Sequence, residues 1–270
     1  MNVMLFYPNY CLANIRNMTT GRKMTMNKSL IEQIMSHQSI RRFTDEKVSQ
    51  KIINQCIKAG QAASSSSFVQ VTSVIQVNSS QDKKTLASAA GNQAYVEEAA
   101  VFLVFCADLK RNQYICNQQG QALPTGFTEQ TLIASVDTAL FAQNVMLAAQ
   151  SLGLGGVFIG GLRNNPETVT KVLKLPEHVF PIFGLCLGYP DQDPGQKPRL
   201  PLPMVLHQDV YSTDHLALLD EYDATISQYY NKRTNGKLTQ NFSQHIIKTM
   251  VKEARPHMLP YLQSQGFNKR

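Results

Sequence analysis

Apolar positions along the chain fall into two kinds of run, and these runs predict the principal elements. Short, continuous apolar runs predict buried strands at residues 71–77, 99–107, 157–159 and 182–187. Apolar residues at helical spacing predict helices at about 82–90, 128–152, 214–231, 241–254 and 257–265. The 128–152 segment is apolar around much of its circumference. We therefore expect it to be buried on several sides and to contribute to a subunit interface.

Capping residues predict where three further helices begin. Asn27 or Ser29 can cap a short helix that ends near residue 35, and Asp45 is expected to cap a second one. The inner face of that second helix should be formed by Ile52, Ile53, Cys56, Ile57, Ala59 and Gly60. Asn165 precedes Pro166 and Glu167, a combination typical of a helix N-terminus.

Two segments lack regular periodicity. Residues 110–127 are polar and contain two glycines and a proline, which predicts a long irregular loop, of the kind that often forms a lid. Residues 189–203 are rich in proline and are expected to be extended. Elsewhere along the chain helices and strands alternate, and this pattern alone favours a parallel α/β sheet.

Composition limits the classes of protein that need consideration. A chain of 270 residues with 43% hydrophobic content can form a single core, or one domain with an appendage. It contains no run of eighteen apolar residues, so no membrane span is expected. The five cysteines are widely spaced and include no C-x-x-C pair, which argues against disulfides or a zinc site and favours a reducing compartment.

The net charge of +7 is concentrated at the two ends of the chain. Residues 232–270 carry eight Lys or Arg and one acid, and residues 1–26 carry three and none. A basic tail could bind nucleic acid, but no aromatic-basic repeat or zinc-finger spacing accompanies it, so a partner with a compact phosphate fits better. Residues 1–26 resemble no secretory signal; they could be a transit peptide or the product of an early start codon. We expect them to be dispensable and disordered.

The chemistry of the chain is concentrated in the stretch from His37 to Phe43, which contains Ser39, Arg41 and Arg42. Guanidinium groups bind phosphate in a bidentate manner, and hydroxyl and imidazole groups add hydrogen bonds. Alone, such a stretch is more often a solvated basic turn. Two further segments favour a binding site over a solvated turn, namely the four serines at 64–67 and the Lys-Pro-Arg run at 197–199.

The glycine clusters and most of the histidines are compatible with structural roles. The glycines at 153, 155 and 156 follow a helix and precede a strand, the reverse of a dinucleotide site, and predict a helix stop and a tight turn. Gly160 and Gly161 end a strand and are equally compatible with a turn or a ligand contact. The sequence has no G-x-S-x-G motif, no P-loop and no histidine pair at metal-ligand spacing. The remaining histidines are interpreted as structural or surface residues.

From Leu30 onwards the chain resembles the oxygen-insensitive, NADPH-dependent nitroreductases, the group that includes the bacterial NADPH–flavin oxidoreductases. The resemblance rests on the His37–Phe43 stretch and on segments in the right order: 43–46 (FTDE), 64–70 (SSSSFVQ), 105–108 (FCAD), 151–157 (SLGLGGV), 159–165 (IGGLRNN), 183–188 (FGLCLG) and 197–199 (KPR). It implies an α+β fold with a mixed, mainly antiparallel sheet wrapped by helices, as an intertwined homodimer. Residues 27–270 would form this domain.

The resemblance also implies a function and a set of site residues. The expected enzyme transfers hydride from NADPH through FMN to nitroaromatics, quinones or free flavin, by a ping-pong mechanism in the cytoplasm, without nucleic acid, membrane or metal. The implied FMN-binding residues are His37, Gln38, Ser39, Arg41, Ser65, Ser66, Ser67, Gln93, Ile159, Gly160, Gly161, Lys197 and Arg199. Arg233 would bind the phosphate of NADPH, and Lys237 could share that role.

The serines would reach the flavin partly from the second subunit. Asp137 matches a family acid near the interface, but a structural ion pair fits it equally well. Two other functions compete with the enzyme: a flavin-binding module without turnover, and nucleic-acid binding by residues 232–270, which would show steep salt dependence.

Overall fold

The computed structural model describes residues 29–252 and 254–270, so the prediction for residues 1–26 lies outside it. These residues form four strands: β1 (Thr72–Gln76), β2 (Val101–Asp108), β3 (Gly155–Ile159) and β4 (Val179–Gly188). The first seven helices are α1 (Leu30–Met35), α2 (Gln50–Gln61), α3 (Ser80–Ala89), α4 (Tyr95–Glu98), α5 (Lys110–Gln118), α6 (Thr128–Ser151) and α7 (Pro166–Leu173). The C-terminal helices are α8 (Leu219–Arg233), α9 (Phe242–Met250) and α10 (Met258–Ser264).

The strands form one sheet in the order β1-β2-β4-β3, and every neighbouring pair is antiparallel. The parallel sheet that the helix–strand pattern alone favours is therefore wrong. The antiparallel α+β architecture implied by the resemblance is confirmed. Alternation along the chain does not fix strand direction here. In the β1–β2 and β3–β4 connections the next strand starts at the end of the sheet where the previous one finished. The α5–α6 connection takes the chain to the opposite end, so β2 and β3 run in the same direction without being neighbours.

Strand β2 lies at the centre of the sheet and is buried along its whole length. Its alternate residues enter different cores: Phe102, Val104 and Cys106 pack with α3, α4 and α7, whereas Val101, Leu103 and Phe105 pack with α2 and α6. This is the period of two that a strand covered on both faces requires. The continuous apolar run predicted this strand correctly.

Helix α6 packs against α2 and the sheet, as its apolar circumference predicts. Gly60 of α2 permits the closest approach, because a Cβ there would stand 2.4 Å from the Phe141 ring and 2.7 Å from Val145. Of the described helices, α6 has the length and hydropathy of a membrane span, as core helices of globular proteins commonly have. Its buried Asp137 and Thr138 identify it as a core helix.

Capping predictions were right for two helices and wrong for one. Ser29 caps α1, and Asn165 caps α7 with Pro166 at its first position. Asp45 does not cap α2; the helix begins at residue 50, where the Ser49 side chain accepts a hydrogen bond from the Ile52 N–H. Residues 45–48 instead form an irregular connection between the basic stretch and α2.

The predicted loop at 110–127 is wrong in its first half, which forms α5. This helix has no buried residue, so it shows no apolar period that sequence could reveal. Contacts with the edge strand hold it instead: the Arg111 guanidinium donates to the carbonyl oxygens of Gln70 and Thr72 at 3.0 and 2.6 Å. Residues 119–127 remain irregular, as expected.

The C-terminal helices follow the predictions with shifted ends. The predicted 214–231 helix begins with a short 3₁₀ segment before α8, and the predicted 241–254 helix ends at Met250. Tyr261 of α10 and Phe267 enter a third cluster with Phe180 and Ala107. The end of the chain is thereby packed against the sheet.

Candidate functional site

The basic stretch from His37 to Phe43 is fixed to the edge strand β3 as a short extension of the sheet. The Ile40 N–H donates to the Gly156 carbonyl oxygen at 2.9 Å, and Ser39 forms a parallel bridge with Gly156. Ile40 itself is buried against Gly155, where a Cβ would lie 2.5 Å from the Ile40 side chain. Gly155 and Gly156, which do not form a dinucleotide site, therefore fix the basic stretch to β3.

This anchoring places the basic stretch against the Lys-Pro-Arg segment and the end of α8. Together they line a cavity of about 180 Å³, hereafter the cationic cavity. Its lining residues are His37, Gln38, Ser39, Arg41, Pro194, Gly195, Lys197, Arg199, Tyr229, Tyr230 and Arg233. None of these lining residues is acidic. At about 30 Å³ per water the cavity has room for roughly six waters, a size that suits a compact anion.

Aromatic residues of α8 hold two of the cations. The Lys197 ammonium lies 5.3 Å from the centroid of the Tyr230 ring, and the Arg233 guanidinium lies 5.9 Å from that of Tyr229. Arg233 also donates to the Tyr229 hydroxyl at 3.1 Å. Such cation–π contacts stabilise a cation without neutralising it, so the cavity keeps its positive charge.

His37 is half-buried in this cavity, and its environment favours the neutral imidazole. Burial lowers its pKa, the positive charge of Arg199 lowers it further, and a hydrogen bond with Gln150 opposes both. That bond joins the Gln150 amide nitrogen to His37 Nδ1 at 2.8 Å. At neutral pH His37 is therefore a neutral hydrogen-bonding group among cations.

Gly160 and Gly161 follow β3, and Gln93 packs against them. A Cβ on Gly161 would lie 2.4 Å from the Ala90 carbonyl oxygen and 2.5 Å from the Gln93 amide nitrogen. Gln93 donates to the Ala90 carbonyl and accepts from the Tyr95 hydroxyl. Gly161 is thus required by packing, whereas a Cβ on Gly160 would meet only the Arg163 guanidinium, at 3.3 Å, and that guanidinium donates to the Ile182 carbonyl oxygen.

The four-serine run forms a strained turn before β1. Ser67 and Phe68 both adopt left-handed backbone conformations, with φ of 47° and 58°. The Ser66 N–H donates to Asp137 Oδ1 at 3.0 Å. Ser65 Oγ and Asp137 Oδ2 are buried without a hydrogen-bond partner among the described residues. Asp137 therefore orders the turn, and the alternative of an ion pair is not borne out within this part of the chain.

The serine turn and the cationic cavity lie at opposite edges of the sheet. The turn leads into β1, and the basic stretch is paired to β3. Three strand spacings separate these strands, roughly 14 Å. Ser64 and Ser65 line a different cavity, of about 840 Å³, with Phe68, Asp137 and Phe141. One chain thus brings the predicted residues together in three groups: the cationic cavity, the diglycine with Gln93, and the serine turn.

Comparison with known proteins identifies the family. The sequence model of the "Nitroreductase family" matches residues 34–189, and that of the "Nitroreductase family, C-terminal domain" matches residues 197–270. The chain belongs to the nitroreductase family. The cationic cavity of this nitroreductase lies between the two matched segments, with His37 to Arg41 in the first and Lys197 onwards in the second.

Individual relatives match over nearly their whole length. An NADPH-flavin oxidoreductase of Vibrio harveyi is 48% identical over 240 residues, covering 89% of this chain and 98% of the relative. An oxygen-insensitive NADPH nitroreductase of Salmonella typhimurium is 45% identical with the same coverage. Among solved structures, nitroreductase A of Vibrio parahaemolyticus superposes with a TM-score of 0.84 at 44% identity, covering 90% of this chain and 99% of the other. The NADPH:FMN oxidoreductase of Vibrio harveyi complexed with NAD⁺ gives 0.82 at 46% identity, covering 89% and 99%.

The residues of this nitroreductase fit FMN, the cofactor implied by the resemblance. The cationic cavity offers several cations and a hydroxyl to a phosphate group. Gly160 lies four residues beyond Gly156 along β3, about 13 Å at strand spacing, and presents backbone without a Cβ. A cofactor with an anionic end and a flat ring can use both features.

Sequence reasoning missed several residues of the site. Tyr229 and Tyr230 face the cations from α8, and Gln150 contacts His37. Arg255 donates to Asn164 Oδ1 at 2.9 Å beside the diglycine segment. The tyrosines adjoin Arg233 in sequence, a signal that could have been used. Nothing in the sequence around Gln150 distinguishes it from any polar residue near the end of a helix.

Proposed function

We propose that this nitroreductase is an FMN-dependent enzyme that uses NADPH to reduce nitroaromatics, quinones or free flavin. The observation that supports it most directly is the cationic cavity, where His37, Ser39 and Arg41 meet Lys197 and Arg199 from a distant part of the sequence. Further support comes from the names of relatives, which include an FMN reductase (NADPH) of Bacillus subtilis, 43% identical over 244 residues.

The residues of the cationic cavity would hold the phosphate of FMN. Arg41, Lys197 and Arg199 supply charge, and Ser39 and neutral His37 supply hydrogen-bond donors. When bound, FMN accepts a hydride from the nicotinamide and passes two electrons to the second substrate. The backbone of Ile159, Gly160 and Gly161 would support its ring.

Arg233 is proposed to bind the phosphate of NADPH. It lies at the last residue of α8 and at the edge of the cationic cavity, with an exposed guanidinium held against Tyr229. A cation at a helix end near the mouth of the site is available to a second phosphate-bearing ligand. Lys237, four residues further on, is exposed and could share this role.

The active form is proposed to be a homodimer in which each subunit supplies the serine turn to the site of the other. Three observations support this arrangement. The serine turn and the cationic cavity of one chain lie at opposite sheet edges. Ser65 Oγ and Asp137 Oδ2 are buried and unpaired beside an open cavity. On α6, Leu132, Val136 and Leu140 form an exposed apolar stripe with exposed fractions of 56%, 54% and 47%.

A reducing, cytoplasmic location is also proposed. The described cysteines, namely Cys56, Cys106, Cys116 and Cys186, are all free. Burial raises the pKa of Cys106 to about 12 and also raises that of Cys186, which makes both thiols unreactive. Buried free thiols are typical of proteins that remain in a reducing compartment.

Initial-rate kinetics test the proposed function. NADPH and a nitroaromatic or quinone acceptor are varied against each other, with the protein loaded with about one FMN per subunit. Because the oxidised nicotinamide leaves before the acceptor enters, double-reciprocal plots should be parallel. Intersecting lines would contradict the ping-pong mechanism. Absence of NADPH turnover in a protein that retains FMN would favour the binding module without turnover.

A further inference from the structure

Two side chains of α5 hold the chain where it leaves the serine turn and enters β1. The Arg111 guanidinium donates to the carbonyl oxygens of Gln70 and Thr72, at 3.0 and 2.6 Å. The neighbouring Asn112 amide donates to the Val69 carbonyl oxygen at 3.2 Å. A carbonyl oxygen can only accept, so the donor and the acceptor of each contact are fixed.

These bonds fix the two peptide groups on either side of Gln70. The Val69 carbonyl belongs to the peptide group before Gln70, and the Gln70 carbonyl belongs to the one after it. Gln70 has a left-handed φ of 51°, a conformation that a non-glycine residue keeps only where the surrounding structure imposes it. Val71, the next residue, is buried and its carbonyl oxygen accepts from the Asp108 N–H at 2.9 Å. The direction in which the serine turn leaves the sheet therefore depends on α5.

Arg111 is itself held by the end of the central strand β2. Its guanidinium lies 3.4 Å from Asp108 Oδ2, and the buried Asp108 carboxylate also accepts from the Lys110 N–H and the Ser73 hydroxyl. A planar guanidinium paired with a fixed carboxylate is restricted in orientation, so its remaining N–H groups keep their directions. No residue of α5 (Lys110–Gln118) is buried, so these polar contacts connect the helix to the sheet.

The other end of the serine turn is held separately, by α6. Asp137 of that helix accepts from the Ser66 N–H at 3.0 Å. Ser67 and Phe68 lie between the two attachments, and both have left-handed φ values. Because such a conformation is imposed from outside, release of one end lets the backbone return to ordinary φ values and moves the serine side chains.

We propose that Arg111 is a positioning residue, which from α5 holds the serine turn in the conformation that binds the flavin of the partner subunit. This inference rests on the proposed function, because it takes the serine turn of one chain to complete the FMN site of the other. It assigns to Arg111 a role in cofactor binding that is exerted through the backbone of the turn.

Titration of the flavin-free protein with FMN, followed by flavin fluorescence, tests the proposal. Arg111→Met keeps the stem of the side chain and removes its donors, so the dissociation constant of FMN should rise about tenfold. Lys110→Gln is the matched control. It removes the same charge one residue earlier on α5, from an ammonium that donates to Gln113, and FMN affinity should stay as in the wild type. Equal FMN affinity in Arg111→Met and the wild type would overturn the proposal.

Hydrogen exchange of the flavin-free variants shows whether the turn itself has moved. Amides of residues 64–70 should exchange about tenfold faster in Arg111→Met than in the wild type, whereas those of strand β4 should be unchanged. Lys110→Gln should exchange as the wild type does. Unchanged exchange of residues 64–70 in Arg111→Met would overturn the proposal. If the wild type binds no FMN, the proposed function fails, and exchange alone decides whether Arg111 holds the turn.

Mixed dimers give a readout that a purely structural role would not change. Arg111→Met and Arg199→Gln subunits are mixed and allowed to exchange. Each mixed dimer then combines one intact cationic cavity with one intact serine turn, so about a quarter of all sites should regain wild-type FMN affinity. A general weakening of the Arg111→Met subunit would give no recovery, since its own cavity would be weakened too.

The same mixture with Ser66→Pro in place of Arg111→Met separates the two possible failures. Recovery with Ser66→Pro and none with Arg111→Met would overturn this inference alone. Recovery in neither mixture, despite subunit exchange shown by mass spectrometry, would contradict the shared site of the proposed function and this inference with it.

Discussion

At the scale of single residues, Gly160 and Gly161 differ although they are adjacent. Gly161 is closed in by backbone, since its Cβ would lie 2.4 Å from a carbonyl oxygen, whereas Gly160 faces only the end of Arg163. Gly161→Ala should therefore lower the free energy of unfolding by about 1–3 kcal/mol. Gly160→Ala should leave it within about 1 kcal/mol of the wild type, as measured by urea unfolding of the flavin-free protein.

Gly160 also allows two roles of the diglycine to be distinguished, namely a tight turn and a contact with the flavin. If the Gly160 backbone supports the flavin ring, Gly160→Ala should weaken FMN binding at least tenfold while the fold remains stable. Fluorescence titration with FMN measures this effect. An unchanged affinity would mean that Gly160 serves only the turn.

His178 predicts a pH dependence of stability. It is 5% exposed and its Nδ1 has no partner among the described residues. Burial lowers its pKa, Lys110 and Lys269 lower it further, and Glu177 opposes them. Because the unfolded chain binds the proton more readily, stability should fall as the pH drops below about 6.5, by at most about 1.4 kcal/mol per pH unit for one proton.

His178→Asn tests this contribution, because asparagine tolerates the left-handed φ of 71° at this position. The variant should show a flatter dependence of unfolding free energy on pH between 7 and 5 than the wild type. Equal slopes in the two proteins would show that another group causes the loss of stability.

Site residues could be predicted where the sequence carries a chemical signature. Arg41, Lys197 and Arg199 were found because the resemblance assigns them to FMN, whereas cations beside serine, histidine or proline are by themselves more often a solvated basic segment. The structure brings the three residues to one cavity. Gln150 could not be found, because its role depends on which residue the end of α6 meets in space. The separation of the serine turn from that cavity follows from strand order, which the residues alone do not encode. The resemblance implied it, by placing the serines partly at the flavin of the second subunit.

At the scale of elements, helices and strands were predicted correctly where burial gives their apolar residues a regular spacing. They were missed or misplaced where only contacts with distant parts of the chain determine the structure. The buried strand β2 and the helix α6 are clear in the sequence. Helix α5 was missed because none of its residues is buried, and the start of α2 was misplaced because Asp45 and Ser49 are both good caps. Local signals do not decide between two equivalent caps.

The exposed stripe of α6 provides a prediction at this scale. Val136→Glu places a charge in the middle of that stripe, and it should shift the homodimer towards monomer and reduce the bound FMN. Sedimentation velocity measures the first effect and flavin absorbance the second. Ser88→Glu is the control, since it adds the same charge at an exposed position of α3, on the other face of the sheet.

A dimer that persists with full FMN content in Val136→Glu would contradict the proposed interface. Dissociation in Ser88→Glu as well would indicate a general effect of charge instead of a specific contact.

At the scale of the whole molecule, the fold was predictable from the resemblance and not from the order of helices and strands. The alternating pattern favoured a parallel sheet, and the sheet is antiparallel. The direction of each strand depends on how its helices cross the sheet, which single-sequence periodicity does not encode. Family motifs spread over the chain carry that information indirectly.

Sharing of sites between subunits can be tested by complementation. One variant carries Arg199→Gln and the other Ser66→Pro, which removes the N–H that donates to Asp137. Each alone should be inactive. After mixing and subunit exchange, half of the dimers are mixed and each has one intact site, so about a quarter of wild-type activity should return. No recovery, despite exchange shown by mass spectrometry, would place each site within one chain.

The central claim is that this nitroreductase carries FMN and reduces it with NADPH. The most direct measurement is the absorbance spectrum of the purified protein, followed by anaerobic addition of NADPH and then of a nitroaromatic or quinone. We expect flavin bands at about one FMN per subunit, rapid bleaching by NADPH, and recovery with the acceptor. A colourless protein that cannot be reconstituted with FMN would contradict it.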